Sequence, residues 1–221
     1  MSSSHSTLSS VSSASRRADD LLRRARDSGG EPVGQLLHLY RNYLMVLATT
    51  QFDRRLRRRL NPSDLVQETM LAAHRDFGQF QGQSERQFLA WLRQILINCL
   101  HRAIETHLKT KMRDMRCEIS IEHISVALDR STANLADVLV DPAPSPGAPL
   151  RARENAVEFA NQLAQLRPQY REVIIMRNLQ GLSFEDIAQR MDRNPGAVRM
   201  LWLRAVDKLR QIAQAEQQTS D

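Results

Sequence analysis

The sequence predicts an all-α chain: two small helical domains joined by a flexible linker, the second domain carrying a helix-turn-helix. Three observations point there. Apolar residues recur at helical spacing over residues 33–50, 84–104 and 154–212. No stretch of useful length alternates as a strand would, and no internal repeat is visible. The long interruption, residues 118–150, closes on DPAPSPGAP (141–149), where Pro and Gly oppose helix and strand alike. The reading divides the chain into a disordered Ser-rich N-terminus with a short helix (1–30), a first helical domain (31–117), an acidic, Pro-rich linker (118–150) and a second helical domain (151–214).

Taken in order, residues 1–15 (MSSSHSTLSSVSSAS) offer nothing to bury and are expected to be disordered. A short amphipathic stretch over 16–26 stops at Ser28-Gly29-Gly30. Leu36, Leu39, Tyr40, Tyr43, Leu44 and Leu47 then mark one helical face. Asn61-Pro62-Ser63 opens a helix over 64–77, followed by the loop FGQFQGQ (77–83). Ser84 with Gln87 three residues on forms a capping box. The helix it starts carries the stripe Phe88, Trp91, Leu92, Ile95, Leu96, Cys99, Leu100, Ala103 and Ile104. Past the linker, helices are expected over 154–166, from Pro168 to near Gly181, over 183–191 and over 195–212.

Apolar residues make up 42% and charged residues 25% of the 221, so wholesale disorder is excluded. No run approaches the roughly 18 apolar residues of a membrane span, and the Ser-rich start lacks the apolar segment of a secretory signal. Two cysteines, Cys99 and Cys117, exclude a disulfide scaffold and fit the cytoplasm. The net charge of +6 points to a polyanion, and its distribution says more. Residues 54–59 read RRLRRR, and 101–116 carry Arg102, Lys109, Lys111, Arg113 and Arg116. Between 121 and 150 the sign reverses, with Glu122, Asp129, Asp137 and Asp141 against Arg130. Genomic base composition would also explain the preference for Arg over Lys.

Residues 182–205, LSFEDIAQRMDRNPGAVRMLWLRA, read as a helix-turn-helix. Ser183 can cap the first helix, and Ile187, Ala188 and Met191 give it a narrow inner face. Asp192-Arg193-Asn194 makes the turn, since Asp and Asn tolerate left-handed backbone. Asn194 can cap the second helix, with Pro195 in its first turn. Val198, Leu201 and Trp202 face inward; Arg199 and Arg204 project outward, as a helix entering a major groove requires. An ordinary helical hairpin with a solvated face satisfies the same spacing, so spacing alone leaves both readings open.

The segment NPSDLVQETMLAAHRDFGQFQGQSERQFLAWLRQILIN (61–98) resembles region 2 of bacterial RNA polymerase sigma factors of the sigma-70 family. Residues 159–210, including LRPQYREVIIMRNLQGLSFEDIAQRM, resemble region 4. The compact extracytoplasmic-function (ECF) type, which keeps only these two regions, is the nearest likeness. The resemblance implies a factor without chemistry of its own, which binds core RNA polymerase through the β′ clamp and the β flap and directs promoter recognition and DNA melting. It implies polymerase contacts at Asp64, Gln67, Glu68 and Met70 of DLVQET-M. It implies −10 recognition and melting by Phe80, Trp91, Asn98, His101, Arg102 and Lys109, with Asn98 at the position that holds a flipped base. It implies −35 contacts by Arg193, Arg199, Arg204 and Lys208.

Alternatives stand beside these assignments. Asp64 and Glu68 share a helix face, where Asp64 also favours the helix start and Glu68 is readily solvated. A metal pair is disfavoured, since no His or further acid falls at a supporting position on that helix and His74 is too far round, and no cofactor is expected. Trp91 is open between core and stacking platform. Ala197, Met200 and Leu201 stand where the family often has Thr, Ser and Arg, so polar contacts to a −35 element are fewer. The linker could extend to about 109 Å at roughly 3.3 Å per residue, more than the about 60–70 Å between the two promoter elements. Arg86 and the surface around it could serve an anti-sigma protein. The runner-up function is a helix-turn-helix regulator acting without polymerase. An enzyme is disfavoured, since no acidic triad, P-loop or activated Cys–His pair is present.

Overall fold

The computed structural model describes residues 6–51, 60–106 and 148–219, and every regular element among them is helical. Two compact units emerge, residues 17–130 and residues 131–221 together with 1–16. The RRLRRR run, His107, Lys109, Lys111, Arg113, Arg116, Cys117 and the acidic side chains of the linker lie outside the described residues.

α1 (Ser6–Ser28) begins inside the Ser-rich segment expected to lack structure, and from Arg17 onward it belongs to the first unit. Neither Gly nor Pro occurs before Gly29, and Ser costs a helix only modestly, so nothing in the segment breaks it. Ala18, Leu21, Leu22 and Ala25 of α1 are buried at i, i+3, i+4 and i+7. Gly29 and Gly30 then both take positive φ, at 60° and 52°, and turn the chain into α2 (Gly30–Leu39). The expected single helix over 33–50 is broken at Tyr40, which separates α2 from α3 (Arg41–Gln51).

The Asn61 carboxamide oxygen accepts from the Ser63 N–H at 2.9 Å, and Pro62 sits in the first turn of α4 (Pro62–Asp76). A short 3₁₀ turn, Phe77–Gln79, leads to the loop before α5 (Glu85–Ile104). The capping box forms: the Ser84 hydroxyl accepts from the Gln87 N–H at 3.4 Å, and the Gln87 side-chain Oε1 accepts from the Ser84 N–H at 3.3 Å. Leu65, Val66, Ala72 and Ala73 of α4 pack with Phe88, Leu92, Leu96 and Leu100 of α5, and with Leu44 and Leu47 of α3. Each fully buried Leu or Phe is worth about 1.5–3 kcal/mol.

The second unit starts with α6 (Ala148–Gln165), six residues earlier than the helix expected at 154, because Pro149 falls in the first turn, where its missing N–H costs nothing. The Arg171 side chain donates to the carbonyls of Leu163, Ala164 and Leu166 at 2.9, 2.6 and 3.1 Å, satisfying the open C-terminal end of α6. α7 (Pro168–Ile174) widens into a π turn, Ile175–Leu179, and the chain reverses at Gly181 with φ 68°. α8 (Phe184–Met191) and α9 (Pro195–Thr219) complete the unit. Phe159, Leu163, Val173, Ile174, Met176, Ile187, Val198 and Ala205 form its core. Among the described residues no helix is long and apolar enough to cross a membrane.

Candidate nucleic-acid interface

On α4 the apolar face is fixed by burial against α3 and α5, which turns Asp64, Gln67, Glu68 and Leu71 to the surface at i, i+3, i+4 and i+7. Leu71 is 72% exposed and ends this row, with exposed His74 and Arg75 one turn further on. The sequence reading passed over Leu71 and named Met70, which lies a third of a turn aside and is half-buried. The signal was present in the spacing from Asp64. Glu68 also borders Cys99, whose thiol is pushed up by burial first and by that carboxylate second.

The loop between α4 and α5 is built on aromatic rings. Phe77 and Phe88 are buried; Phe80 and Trp91 cover them and stay half-exposed. Phe80 lies 5.4 Å from Phe88 and 5.2 Å from Trp91, and Trp91 5.7 Å from Phe88, centroid to centroid. Trp91 is thus both packed on the core and open at one edge. Gly82 is required here. A Cβ on it would come within 2.8 Å of the Gln87 Cβ and closer still to the Phe80 ring. Arg26 of α1 donates to the Gly82 carbonyl and places its guanidinium 6.0 Å above the Phe80 ring, tying the loop to α1.

From Trp91 a row of residues runs down α5: Asn98 at i+7 and Arg102 at i+11, both exposed. The Asn98 carboxamide oxygen accepts from Gln94 Nε2 at 3.1 Å, on the side away from the core. Arg102 approaches Cys99 Sγ at 3.4 Å. His101 is half-buried and its Nδ1 faces the Glu105 carboxylate at 3.6 Å, a partner that competes with a phosphate. Lys109 is outside the described residues.

In the helix-turn-helix, the Ser183 hydroxyl accepts from the Asp186 N–H at 3.0 Å, and Asn194 Oδ1 accepts from the Ala197 N–H at 2.7 Å. Asp192 takes the left-handed conformation, φ 53°, that lets three residues join α8 to α9. Val198, Leu201, Ala205 and Leu209 bury one side of α9. Trp202 is half-buried, with its indole N–H donated to Asn178 Oδ1 at 3.0 Å. Arg193, Arg199, Arg204 and Lys208 are all exposed. Arg199 is held 5.2 Å over the Phe184 ring, which also lies 4.6 Å from Arg177 and packs edge-on against Trp202 at 5.8 Å. Arg193 donates to Gln169 at 3.2 Å and Lys208 to Gln211 at 3.2 Å. Among the described residues no three His, Cys, Asp or Glu side chains converge as metal ligands would.

Two helical units, one ending in a helix-turn-helix with an arginine-bearing second helix, define a bipartite DNA-binding factor. Sequence comparison is consistent with this. Residues 36–110 match the model for sigma-70 region 2, and residues 156–209 the model for sigma-70 region 4, together more than half of the chain. The ECF RNA polymerase sigma factor BldN of Streptomyces coelicolor is 29% identical over 90% of this chain and 67% of its own length. The RNA polymerase sigma factor CarQ of Myxococcus xanthus is 28% identical over 67% of this chain and 72% of its own. The ECF RNA polymerase sigma-E factor of Haemophilus influenzae is 27% identical over 84% and 89%. The chain belongs to the sigma-70 family, as an ECF-type RNA polymerase sigma factor that acts in transcription initiation. The region 2 match sets aside a helix-turn-helix regulator working without polymerase.

Proposed function

We propose that the first unit docks on core RNA polymerase through the exposed row of α4 and opens the −10 element along α5, while α9 reads the −35 duplex. The observation that carries the docking assignment is Leu71, 72% exposed and bordered by Gln67 and Glu68 on one side and by His74 and Arg75 on the other, all exposed. An apolar centre within a polar rim is the composition of a binding hot spot. In this reading the β′ clamp receives that row, with Met70 at its edge, and the β flap meets the second unit. Phe80 and Trp91 stack on unpaired bases, Asn98 holds an extruded base, and Arg102 with Lys109 follows the phosphates. The chain carries no bond-making chemistry and works with polymerase in the cytoplasm. An anti-sigma protein covering Arg86 and the α4 row would block docking directly.

The test is titration of core polymerase with the wild type, Leu71→Asp and Glu68→Lys. Both side chains are exposed, so the fold is untouched, and affinity should fall about tenfold or more for Leu71→Asp, the scale of one hot-spot residue. Unchanged affinity in both variants would remove α4 from the interface.

A further inference from the structure

Among the described residues, the exposed large apolar side chains are Leu71, Met200 and Leu203. Leu71 belongs to the row already assigned. Met200, 50% exposed, and Leu203, 48% exposed, stand on α9. With Gly196 and Asp207 they fall at i, i+4, i+7 and i+11, the line opposite the buried Val198, Ala205 and Leu209. They are therefore the most outward-pointing side chains of the second helix of the helix-turn-helix.

Their surroundings are cationic. Arg199 flanks the pair on one side, steered by the Phe184 ring at 5.2 Å, and Arg204 flanks it on the other. The acid on this line, Asp207, accepts from Gln211 Nε2 at 3.0 Å, beyond Leu203 toward the helix C-terminus. A single exposed Leu or Met needs no explanation. An apolar pair centred on a groove-facing helix, between arginines, is matched in charge to a polyanion and in chemistry to the one apolar feature of the major groove, the thymine C5-methyl group.

We propose that Met200 and Leu203 read thymine methyl groups in the upstream promoter duplex, with Arg199 and Arg204 bonding phosphate or guanine on either side. The inference rests on the reading of α9 as the −35 helix and adds the chemical basis of its specificity. Ala197 and Met200, where polar family residues are absent, then change the mode of readout from hydrogen bonding to apolar contact.

The test uses holoenzyme, the full chain with core polymerase. It first selects its own upstream duplex element from a randomised library. Each thymine of that element is then replaced by deoxyuridine, which keeps every hydrogen-bonding edge and lacks only the methyl. Wild-type holoenzyme should lose about fourfold in affinity at one or two positions, the equivalent of one buried methyl. Met200→Ala and Leu203→Ala, both compatible with helix, should bind thymine and uracil duplexes equally at those positions. Three results would overturn the inference. One is equal wild-type binding of thymine and uracil duplexes while Arg199→Ala and Arg204→Ala still weaken binding, which leaves the −35 assignment standing. Another is indifference to all four substitutions, which removes the −35 assignment as well. The third is a loss of core polymerase affinity in Met200→Ala or Leu203→Ala with discrimination retained, which makes the pair a protein contact.

Discussion

Tyr40 shows how much one side chain can hold. It is wholly buried, and its phenol donates to Glu85 at 2.8 Å, joining the break between α2 and α3 to the first turn of α5. Burial chiefly, then the Glu85 carboxylate, then Asp19, push the phenol far above its ordinary 10.0. The folded chain therefore keeps a proton that the unfolded chain releases above about pH 10. Its contribution is fully present below that pH and is lost as pH climbs. Tyr40→Phe should cost about 1.5–3 kcal/mol at neutral pH, as for a hydrogen bond to a charged group. The stability gap between wild type and variant, from denaturant melts, should narrow above pH 10; a constant gap would contradict the assignment. The residue scale is also where the sequence was most legible. Asn61, Ser84, Ser183, Asp192 and Asn194 act within four residues of themselves, so their caps and turns follow from spacing. Tyr40 with Glu85, and Arg26 with Gly82, join positions 45 and 56 residues apart. No local rule reaches that far.

At the scale of elements, the loop before α5 is the part most exposed to a single change. Phe80 folds back over Gly82, and Arg26 of α1 closes the arrangement from above. Gly82→Ala drives a methyl into the Phe80 ring, so ring and loop must shift together. If Phe80 and Trp91 stack on unpaired bases, the loss is that of one stacked base, about 1–3 kcal/mol. Open-complex occupancy, read by 2-aminopurine fluorescence at the −10 element, should fall about tenfold while core affinity stays at the wild-type value. A fall in both together would show instead that the unit has lost its fold. Element identity was readable because the apolar periodicity is strong, but element ends were not. α6 starts at Ala148 because a Pro in a first turn is harmless, and the break falls at Tyr40, whose phenol is bonded to the distant Glu85. The π turn Ile175–Leu179 has no local signature in the sequence. Glu158 of α6 has a further consequence of placement: burial, then Glu216 near the end of α9, raise its carboxyl.

For the whole molecule, separate helices carry exposed rows of different chemistry. α4 offers an acidic and apolar row, α5 an aromatic edge continued by Asn98 and Arg102, and α9 an apolar pair between arginines. Family and architecture were legible in the sequence because both modules carry long, characteristic helical segments. Leu71 and Leu203 were not singled out, and Met200 only as a departure from the family's polar residues, because an exposed Leu or Met looks like core until burial is known. The central claim is that these rows let the chain carry core polymerase to promoters and open them. In vitro transcription with core polymerase over a genomic library tests it most directly. The account predicts initiation from a discrete set of sites, with permanganate-reactive thymines at the −10 element that appear only when this chain is added. Absence of initiation from every template, together with no binding to core polymerase, would contradict it.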